Sequence, residues 1–249
     1  MIVLTYHAID GSGSPIAVEP GRFADTIGRL VDAGLVAVDL GDWVARGRPH
    51  RERGFAVAFD DGLRSVLAGV EALERTGVPA TIFVVTRHVG GDNAWPGQPG
   101  WVGRRAMLDW SEIDDLARRG FRFGAHTATH PRLDRLRPAE VEAELIGSRD
   151  AIEARLNRPC PLLAYPYGVS TQAVRERAGR AFVAAFGTRP AIASGESAAF
   201  DLPRVDGCYL GFPGVMERLI AGRLRPWLAV RRGLRAARHV ARSIRPVGR

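Results

Sequence analysis

The stretch FAVAFDDG at residues 55–62 is an apolar run that ends on two adjacent carboxylates and a glycine. A short apolar run of this kind is typical of a buried strand in a parallel sheet. Side chains alternate between the two faces along a strand, but where the chain turns at its end both Asp60 and Asp61 can point into one mouth. The stretch therefore predicts a buried strand that delivers two acids suited to metal chemistry. Taken alone, Asp-Asp-Gly also fits an ordinary solvated turn.

Strand-like and helix-like segments alternate along the rest of the chain. Apolar runs predict strands at residues 2–6, 35–40, 55–59, 79–85, 121–125, 162–165, 182–186 and 208–210. Helices are predicted between most of them, with Ser111 as the N-cap of one and Pro138 in the first turn of another. Alternating strands and helices imply a parallel sheet, so the expected fold class is an α/β barrel with its active site at the carboxyl ends of the strands.

Length and composition fit one soluble globular domain with a tail. The chain has 249 residues, 46% hydrophobic and 25% charged, and no apolar run reaches the ~20 residues of a membrane span. We expect a barrel domain at residues 1–216 and a tail at residues 217–249. The first residues lack the features of a signal peptide, which favours a cytoplasmic location. The two cysteines, Cys160 and Cys208, are too few for a disulfide scaffold.

Residues 86–107 interrupt the alternation with five glycines, two prolines and two tryptophans. Long irregular loops inside compact domains are often functional rims or lids. We therefore expect this loop to form the rim that admits the substrate.

A second polar motif, HTATH at residues 126–130, directly follows the predicted strand 121–125. Two histidines four residues apart share one side of a helical turn, so their imidazoles can converge on one ion at the same mouth as Asp60 and Asp61. Two histidines and one carboxylate leave open positions on a metal, as in a catalytic site. A simple pair of surface histidines is the alternative.

Three motifs follow one another along the chain: FDDG at residues 59–62, HTATHP at 126–131 and YPYG at 165–168. Over residues 1 to about 210 they resemble the polysaccharide deacetylase family, also called the NodB-homology domain or carbohydrate esterase family 4. The resemblance implies a distorted (β/α)7 barrel. It also implies a metal-dependent hydrolase that removes an N-acetyl group from an amino sugar in a glycan, a lipid-linked sugar or a glycosylated small molecule.

The resemblance assigns roles to individual residues. It implies three metal ligands, which are Asp61, His126 and His130. Asp60 would be the base that takes a proton from the metal-bound water, and the backbone N–H of Tyr167, next to Pro166, would face the developing oxyanion. Thr127 and Thr129 would fix the turn between the histidines. Zinc is the expected metal, with cobalt, nickel or iron as alternatives.

Two positions depart from the commonest pattern of the family. The arginine that usually orients the base is replaced by Ala164, and Arg204 could supply the guanidinium unless it is a surface arginine beside a proline turn. The late histidine that supplies the general acid is absent, and His7 is its best substitute unless it is a structural histidine. A Tyr-His pair that opens the domain resembles the circularly permuted branch that acts on poly-N-acetylglucosamine and related exopolysaccharides.

The C-terminal segment is strongly basic. Residues 217–249 contain ten arginines and one acid, a net charge of +9, whereas residues 1–216 carry −1 and the chain has no lysine. From Trp227 onward the spacing predicts a basic amphipathic helix. Its apolar seam consists of Trp227, Val230, Leu234, Ala237, Ala241 and Ile244, and its arginines are Arg231, Arg232, Arg235, Arg238, Arg242 and Arg245.

Such a helix fits an anionic membrane surface, and with the missing signal peptide this suggests the inner face of the membrane. Packing of the seam on the barrel or on another subunit is the alternative. Nucleic acid is a less favoured partner, because the neutral body supplies no further basic surface.

An N-acetylated sugar is thus the expected substrate. Hydrolysis of a non-sugar, cyclic amide and a catalytically weak glycan-binding module are the alternatives. The complete set of Asp60, Asp61 and the two histidines argues against a mere binding module, but the uncertain acid and arginine leave that alternative open.

Overall fold

The computed structural model describes residues 1–50 and 53–244, which contain ten strands and eight α-helices. The strands are β1 (Ile2–Tyr6), β2 (Ala8–Ile9), β3 (Ala17–Val18), β4 (Val36–Ala37), β5 (Gly54–Phe59), β6 (Ala80–Val84), β7 (Arg122–Ala125), β8 (Leu162–Ala164), β9 (Ala184–Phe186) and β10 (Val205–Asp206). The helices are α1 (Pro20–Asp32), α2 (Leu40–Ala45), α3 (Leu67–Thr76), α4 (Trp110–Arg118), α5 (Pro138–Leu156), α6 (Gln172–Ala181), α7 (Val215–Ile220) and α8 (Leu224–Ile244).

Local capping explains where the helices begin and end. Pro138 opens α5 as predicted, and α3 stops at Gly77, whose φ of 65° is in the left-handed region. The predicted cap at Ser111 is wrong, because α4 begins two residues earlier. The Asp109 carboxylate accepts from the Glu112 N–H (2.8 Å) while the Glu112 carboxylate accepts from the Asp109 N–H (3.1 Å). This reciprocal capping box satisfies two N–H groups at once.

The main sheet is parallel throughout. Its continuous path contains seven strands in the order β10-β1-β5-β6-β7-β8-β9, and β4 pairs with β5 beside this path. In the register of β1 and β5, Tyr6 lies beside Phe59. His7 and Asp60 therefore follow neighbouring strand ends on the same edge of the sheet.

A short segment after β9 closes the curled sheet. Leu202 forms a parallel bridge to Phe186 in β9, and Val205 pairs with Leu4 in β1. Residues 202–206 thus connect the two edges, and the expected distorted (β/α) barrel is confirmed. We call these residues the closing segment.

Apolar side chains fill the space on both sides of the sheet. Outside, the helices pack on one extended core, and inside, small alanines leave room for a few large rings. Phe83 and Phe186, with ring centroids 5.7 Å apart, are two of these inner rings. These inner side chains fill the barrel beneath the mouth.

The final strand is displaced from its predicted position. Residues 208–210 are not a strand but lie in the 3-10 helix Gly207–Gly211, and the strand is β10. The Asp206 carboxylate accepts from the Cys208 N–H at 3.0 Å and so turns the chain. Gly207 packs so closely that an added Cβ would lie 2.0 Å from the ring of Tyr6.

Helix α7 crosses the predicted boundary between residues 216 and 217, and α8 follows it. Leu219, Leu224 and Leu228 are buried in the outer core, while Val230 and Leu234 are exposed. The predicted division into barrel and tail stays a prediction. The later residues of the predicted seam and arginine face lie beyond the described side chains, and Arg245 lies outside the described residues.

None of the helices in the described part of the chain combines the length and the apolar character that a membrane span needs. The location of the protein stays a prediction.

Candidate active site

Asp60 and Asp61 lie buried at the carboxyl end of β5. The chain turns sharply there, because Asp61 and Gly62 have φ values of 70° and 75°. Left-handed backbone is unfavourable for a residue with a Cβ and persists where the surrounding structure holds it in place. The turn breaks the alternation of the strand, so both acids face the same mouth.

His126 and His130 lie on a loop that extends from β7. The predicted helical turn is wrong: Thr127 and His130 have φ values of 65° and 60°, in the left-handed region. The hydrogen bonds expected of the threonines are present, since the His130 N–H donates to the Thr127 hydroxyl at 3.0 Å. The two imidazoles converge through this irregular loop rather than through helical spacing.

Glu144 on α5 holds the same loop, and sequence reasoning missed it. Its carboxylate accepts from the N–H groups of Ala128 and Thr129, both at 2.8 Å, and from the Thr129 hydroxyl at 2.6 Å. The only sequence signal is its place beside the buried stripe of α5. Because three donors converge on one carboxylate, Glu144 fixes the backbone between the two histidines.

Asp61, His126 and His130 form a compact set of metal-binding groups. One oxygen of Asp61 lies 3.4 Å from Nε2 of each histidine, and the candidate ligand atoms all lie within 4.8 Å of one another. His126 Nδ1 donates to the carbonyl of Ala164 at 2.8 Å, which leaves Nε2 free to coordinate. Two imidazoles and one carboxylate fit a catalytic metal with open positions.

Charge and burial act against each other in this set. Burial raises the pKa of Asp61, but hydrogen bonds from His126 and His130 outweigh it and hold that pKa well below its ordinary value. Burial lowers the pKa of His130. A deprotonated carboxylate and a neutral His130 are the protonation states that bind a cation.

Asp60 is held by Arg204 from the closing segment. Nη1 and Nη2 of Arg204 donate to the two carboxylate oxygens at 2.6 and 2.7 Å, and Nε donates to the Gly187 carbonyl at 2.8 Å. Arg204 is only 2% exposed, so it is not a surface arginine. Burial raises the pKa of Asp60, but the charges on Arg204 and His126 outweigh burial and lower it.

His7 faces Asp60 from the end of β1. Its Nε2 lies 4.0 Å from Asp60 Oδ2, and its side chain is 31% exposed. The distance is too long for a hydrogen bond. His7 therefore remains available on the open side of the mouth, whereas Arg204 approaches Asp60 from the buried side.

The third motif, YPYG at residues 165–168, lies beside His130 at the mouth. Tyr167 has a φ of 60°, and its ring centroid lies 4.7 Å from that of His130. Pro166 is buried, and Gly168 lies so close to Thr188 that an added Cβ would fall 2.1 Å from its hydroxyl oxygen. The Tyr167 ring thus lies against one of the candidate metal ligands.

The irregular loop at residues 86–107 packs onto this site through Trp95. Its ring lies 4.2 Å from that of His130 and 5.4 Å from that of His88. Asn93, fully buried, ties the loop together by donating to the Gly103 carbonyl and accepting from the Arg105 N–H. Sequence reasoning gave Trp95 no role. The loop thus packs as one wall of the mouth, and its role as the rim that admits the substrate stays a prediction.

The sequence profile of the polysaccharide deacetylase family matches residues 47–185, more than half of the chain. The chain belongs to the polysaccharide deacetylase family. It is accordingly an enzyme of the deacetylase class.

Relatives support this assignment. The chain is similar to a chitooligosaccharide deacetylase of Bradyrhizobium sp. (strain ANU 289), with 31% identity over 136 residues, or 53% of this chain and 54% of the relative. The fold is similar to that of IcaB from Ammonifex degensii (TM-score 0.75, 22% identity, 90% of this chain and 96% of that one). It is also similar to BC0361, a polysaccharide deacetylase from Bacillus cereus (TM-score 0.69, 26% identity, 82% and 64%).

Proposed function

We propose that the chain is a metal-dependent hydrolase that removes the N-acetyl group from an amino sugar in a glycan or a lipid-linked sugar. The observation that carries the proposal is the Asp61, His126 and His130 set beside the Asp60–Arg204 pair in one buried mouth. A bound divalent metal polarises the acetamido carbonyl and lowers the pKa of water. The similarity to a chitooligosaccharide deacetylase supports an N-acetylated oligosaccharide as substrate.

Asp60 acts as the general base. Its lowered pKa keeps it ionised at neutral pH, and Arg204 fixes the plane of its carboxylate through two hydrogen bonds. Each oxygen retains a lone pair that can accept a proton from the attacking water. Arg204 is therefore a positioning residue, and Asp60 is the group that moves the proton.

His7 acts as the general acid that protonates the leaving amine. It lies 4.0 Å from Asp60, and its partial exposure lets it reach a substrate on the open side of the mouth. The backbone N–H of Tyr167, next to Pro166, faces the oxygen on which negative charge develops. Zinc suits the two imidazoles and one carboxylate, and cobalt, nickel or iron would also fit.

The proposed activity is tested by acetate release. The chain loaded with zinc should release acetate from N-acetylated chitooligosaccharides, lose this activity with a chelator and regain it when zinc returns. A panel of cyclic amides provides the comparison. Turnover of a cyclic amide without any release from the sugars, or sugar binding without turnover, would overturn the proposal in favour of one of the alternatives.

Replacing His7 with glutamine should lower kcat by about a hundredfold, because general acid catalysis commonly contributes this much. Zinc content should stay unchanged, since His7 is not among the proposed ligands. Wild-type rates in this variant would assign His7 a structural role instead.

Replacing Glu144 with alanine should weaken zinc binding by about tenfold, because residues that orient metal ligands carry effects of this size. The loop between the histidines loses three hydrogen bonds in this variant. Zinc affinity is measured by competition with a chelating dye. Glu142→Ala is the matched control, since Glu142 is exposed on the same helix.

Glu144→Gln should restore most of the affinity, because the amide oxygen can accept from both backbone N–H groups. An unchanged zinc affinity in Glu144→Ala would contradict the positioning role.

A further inference from the structure

Helix α8 begins beside the amino end of β1. Its first residues, Leu224 and Arg225, line a cavity together with Met1 and Ile2. This cavity of about 400 Å³ lies at the end of the barrel opposite the mouth. The helix therefore starts at the bottom of the barrel.

Over the next two turns, side chains of the same helix contact the turn that follows β10. Trp227 lies 5.3 Å from the ring of Tyr209, and the guanidinium of Arg231 lies 4.6 Å from that ring. Tyr209 belongs to the turn directly after the carboxyl end of β10. Helix α8 therefore runs in the same direction as the strands, toward the side on which the active site opens.

The helix continues beyond these contacts. The ten helical residues after Leu234 extend it by about 15 Å in the same direction. The sequence of this extension includes Arg235, Arg238 and Arg242, and α8 contains no acidic residue. A strongly basic helix thus projects on the mouth side of an otherwise neutral body.

Exposed apolar side chains accompany this basic helix. The described residues expose six large apolar side chains, and three of them are Phe212 (47%), Val230 (63%) and Leu234 (48%). Arg231 stacks on Phe212 and on Trp227, both at 5.5 Å. We call these three exposed side chains, together with Arg231 and Arg232, the basic apolar surface, and the sequence of α8 continues from it with Arg235, Arg238 and Arg242.

We propose that the basic apolar surface docks on an anionic membrane surface and directs the mouth toward acetamido sugars carried by lipids in that membrane. This inference rests on the proposed deacetylase function and names where its substrate is presented. Arginines attract an anionic leaflet, and exposed apolar side chains insert at the boundary of headgroups and acyl chains. The direction of α8 then decides which side of the barrel meets the lipid.

A soluble polyanion is a weaker match to the same surface. Nucleic acid binding commonly uses several exposed aromatic rings on which successive bases stack, whereas Phe212 is the one exposed ring of this surface, Tyr209 is buried and Trp227 is half-buried. The exposed valine and leucine contribute nothing to a polyanion but favour a lipid boundary. The exposed apolar side chains therefore favour a membrane over a nucleic acid as the partner.

Sedimentation with vesicles tests the docking. The full chain should bind vesicles of phosphatidylcholine mixed with phosphatidylglycerol and should bind phosphatidylcholine alone far more weakly. Replacing Arg235, Arg238 and Arg242 together with glutamine should lower the partition coefficient about a hundredfold, at about fivefold per arginine. The matched control removes three exposed arginines elsewhere, at positions 46, 75 and 180, and should leave binding nearly unchanged.

The apolar component is tested separately. Replacing Val230 and Leu234 with glutamine should also weaken vesicle binding by about tenfold or more, because apolar area is lost from the interface. Binding to heparin, a soluble polyanion, should not change in this variant. Equal vesicle binding by wild type and this variant, or equal loss in the two triple-arginine variants, would overturn the proposal.

Substrate presentation is tested with one sugar in two forms. An N-acetylglucosamine oligosaccharide is supplied either free in solution or attached to a lipid in anionic vesicles. The variant of Arg235, Arg238 and Arg242 should keep its rate on the free sugar and lose most of its rate on the lipid-attached sugar. Equal rates for wild type and variant on the lipid form would contradict the inference. No acetate release from either sugar by the wild type would instead contradict the proposed function.

Discussion

Replacing Asp60 with asparagine should lower kcat by about a thousandfold while zinc remains bound, because an amide cannot accept the proton that a carboxylate base takes. Asparagine keeps the size of the side chain but presents only one acceptor to the two Arg204 donors. Some stability is lost as well, so kcat is measured per mole of folded, zinc-loaded protein. Zinc content, acetate release and thermal unfolding together give the result.

His126→Ala is the matched contrast. This variant should lose zinc, and with it all measurable turnover, because it removes one of three proposed ligands. The two variants thereby distinguish proton transfer by Asp60 from metal binding by His126. A fully active Asp60→Asn enzyme would exclude Asp60 as the base, and tight zinc binding by His126→Ala would exclude the proposed ligand set.

Replacing Arg204 with methionine should lower the free energy of unfolding by about 3–5 kcal/mol, because it leaves a buried carboxylate without its partner. Asp60 and Arg204 are both almost fully buried, and the guanidinium also lies 5.8 Å from the ring centroid of Phe83. Urea unfolding of the zinc-free protein measures the loss. Arg189→Met is the control, since this neighbouring arginine is exposed, and it should change stability by less than about 0.5 kcal/mol.

The loss should depend on pH in a defined direction. In the wild type the pKa of Asp60 lies below its ordinary 3.8, so its contribution is present above the unfolded-state pKa and is lost as the pH falls through the native one. Without Arg204, burial should raise the native pKa of Asp60 above the unfolded value. The loss of unfolding free energy in the variant should therefore be largest at neutral pH. It should shrink as the pH falls through the ordinary carboxyl range. A deficit that is equal at acidic and neutral pH would assign Arg204 a packing role only.

Much of the fold followed from local patterns in the sequence. The buried strands β1, β5 and β6 are continuous apolar runs, and helices with a clear stripe and cap residues were found near their true positions. The errors occurred at turns where several short polar side chains are close enough to accept a hydrogen bond from the backbone. Asp109 replaces Ser111 as a cap, and β10 ends before the residues that were predicted to form it, because Asp206 turns the chain.

The site residues could be found because their motifs are local, but their geometry could not be predicted. The histidine pair suggested helical spacing, whereas left-handed residues and Glu144 create the approach of the two rings. Glu144 touches the loop only because α5 packs beside β7, and its place beside the buried stripe of α5 does not specify this tertiary contact. The buried position of Arg204 likewise depends on how the sheet closes.

The closing segment links synthesis of the chain to assembly of the site. Asp60 and both histidines precede residue 131, whereas Arg204 follows much later, so a growing chain contains the buried carboxylate long before its partner is made. Until residues 202–206 dock between β9 and β1, Asp60 would lack the guanidinium that offsets its burial. Pairing with Arg204 offsets the cost of burying the Asp60 carboxylate when the sheet closes. The same two side chains thereby couple closure of the sheet to completion of the proposed catalytic base.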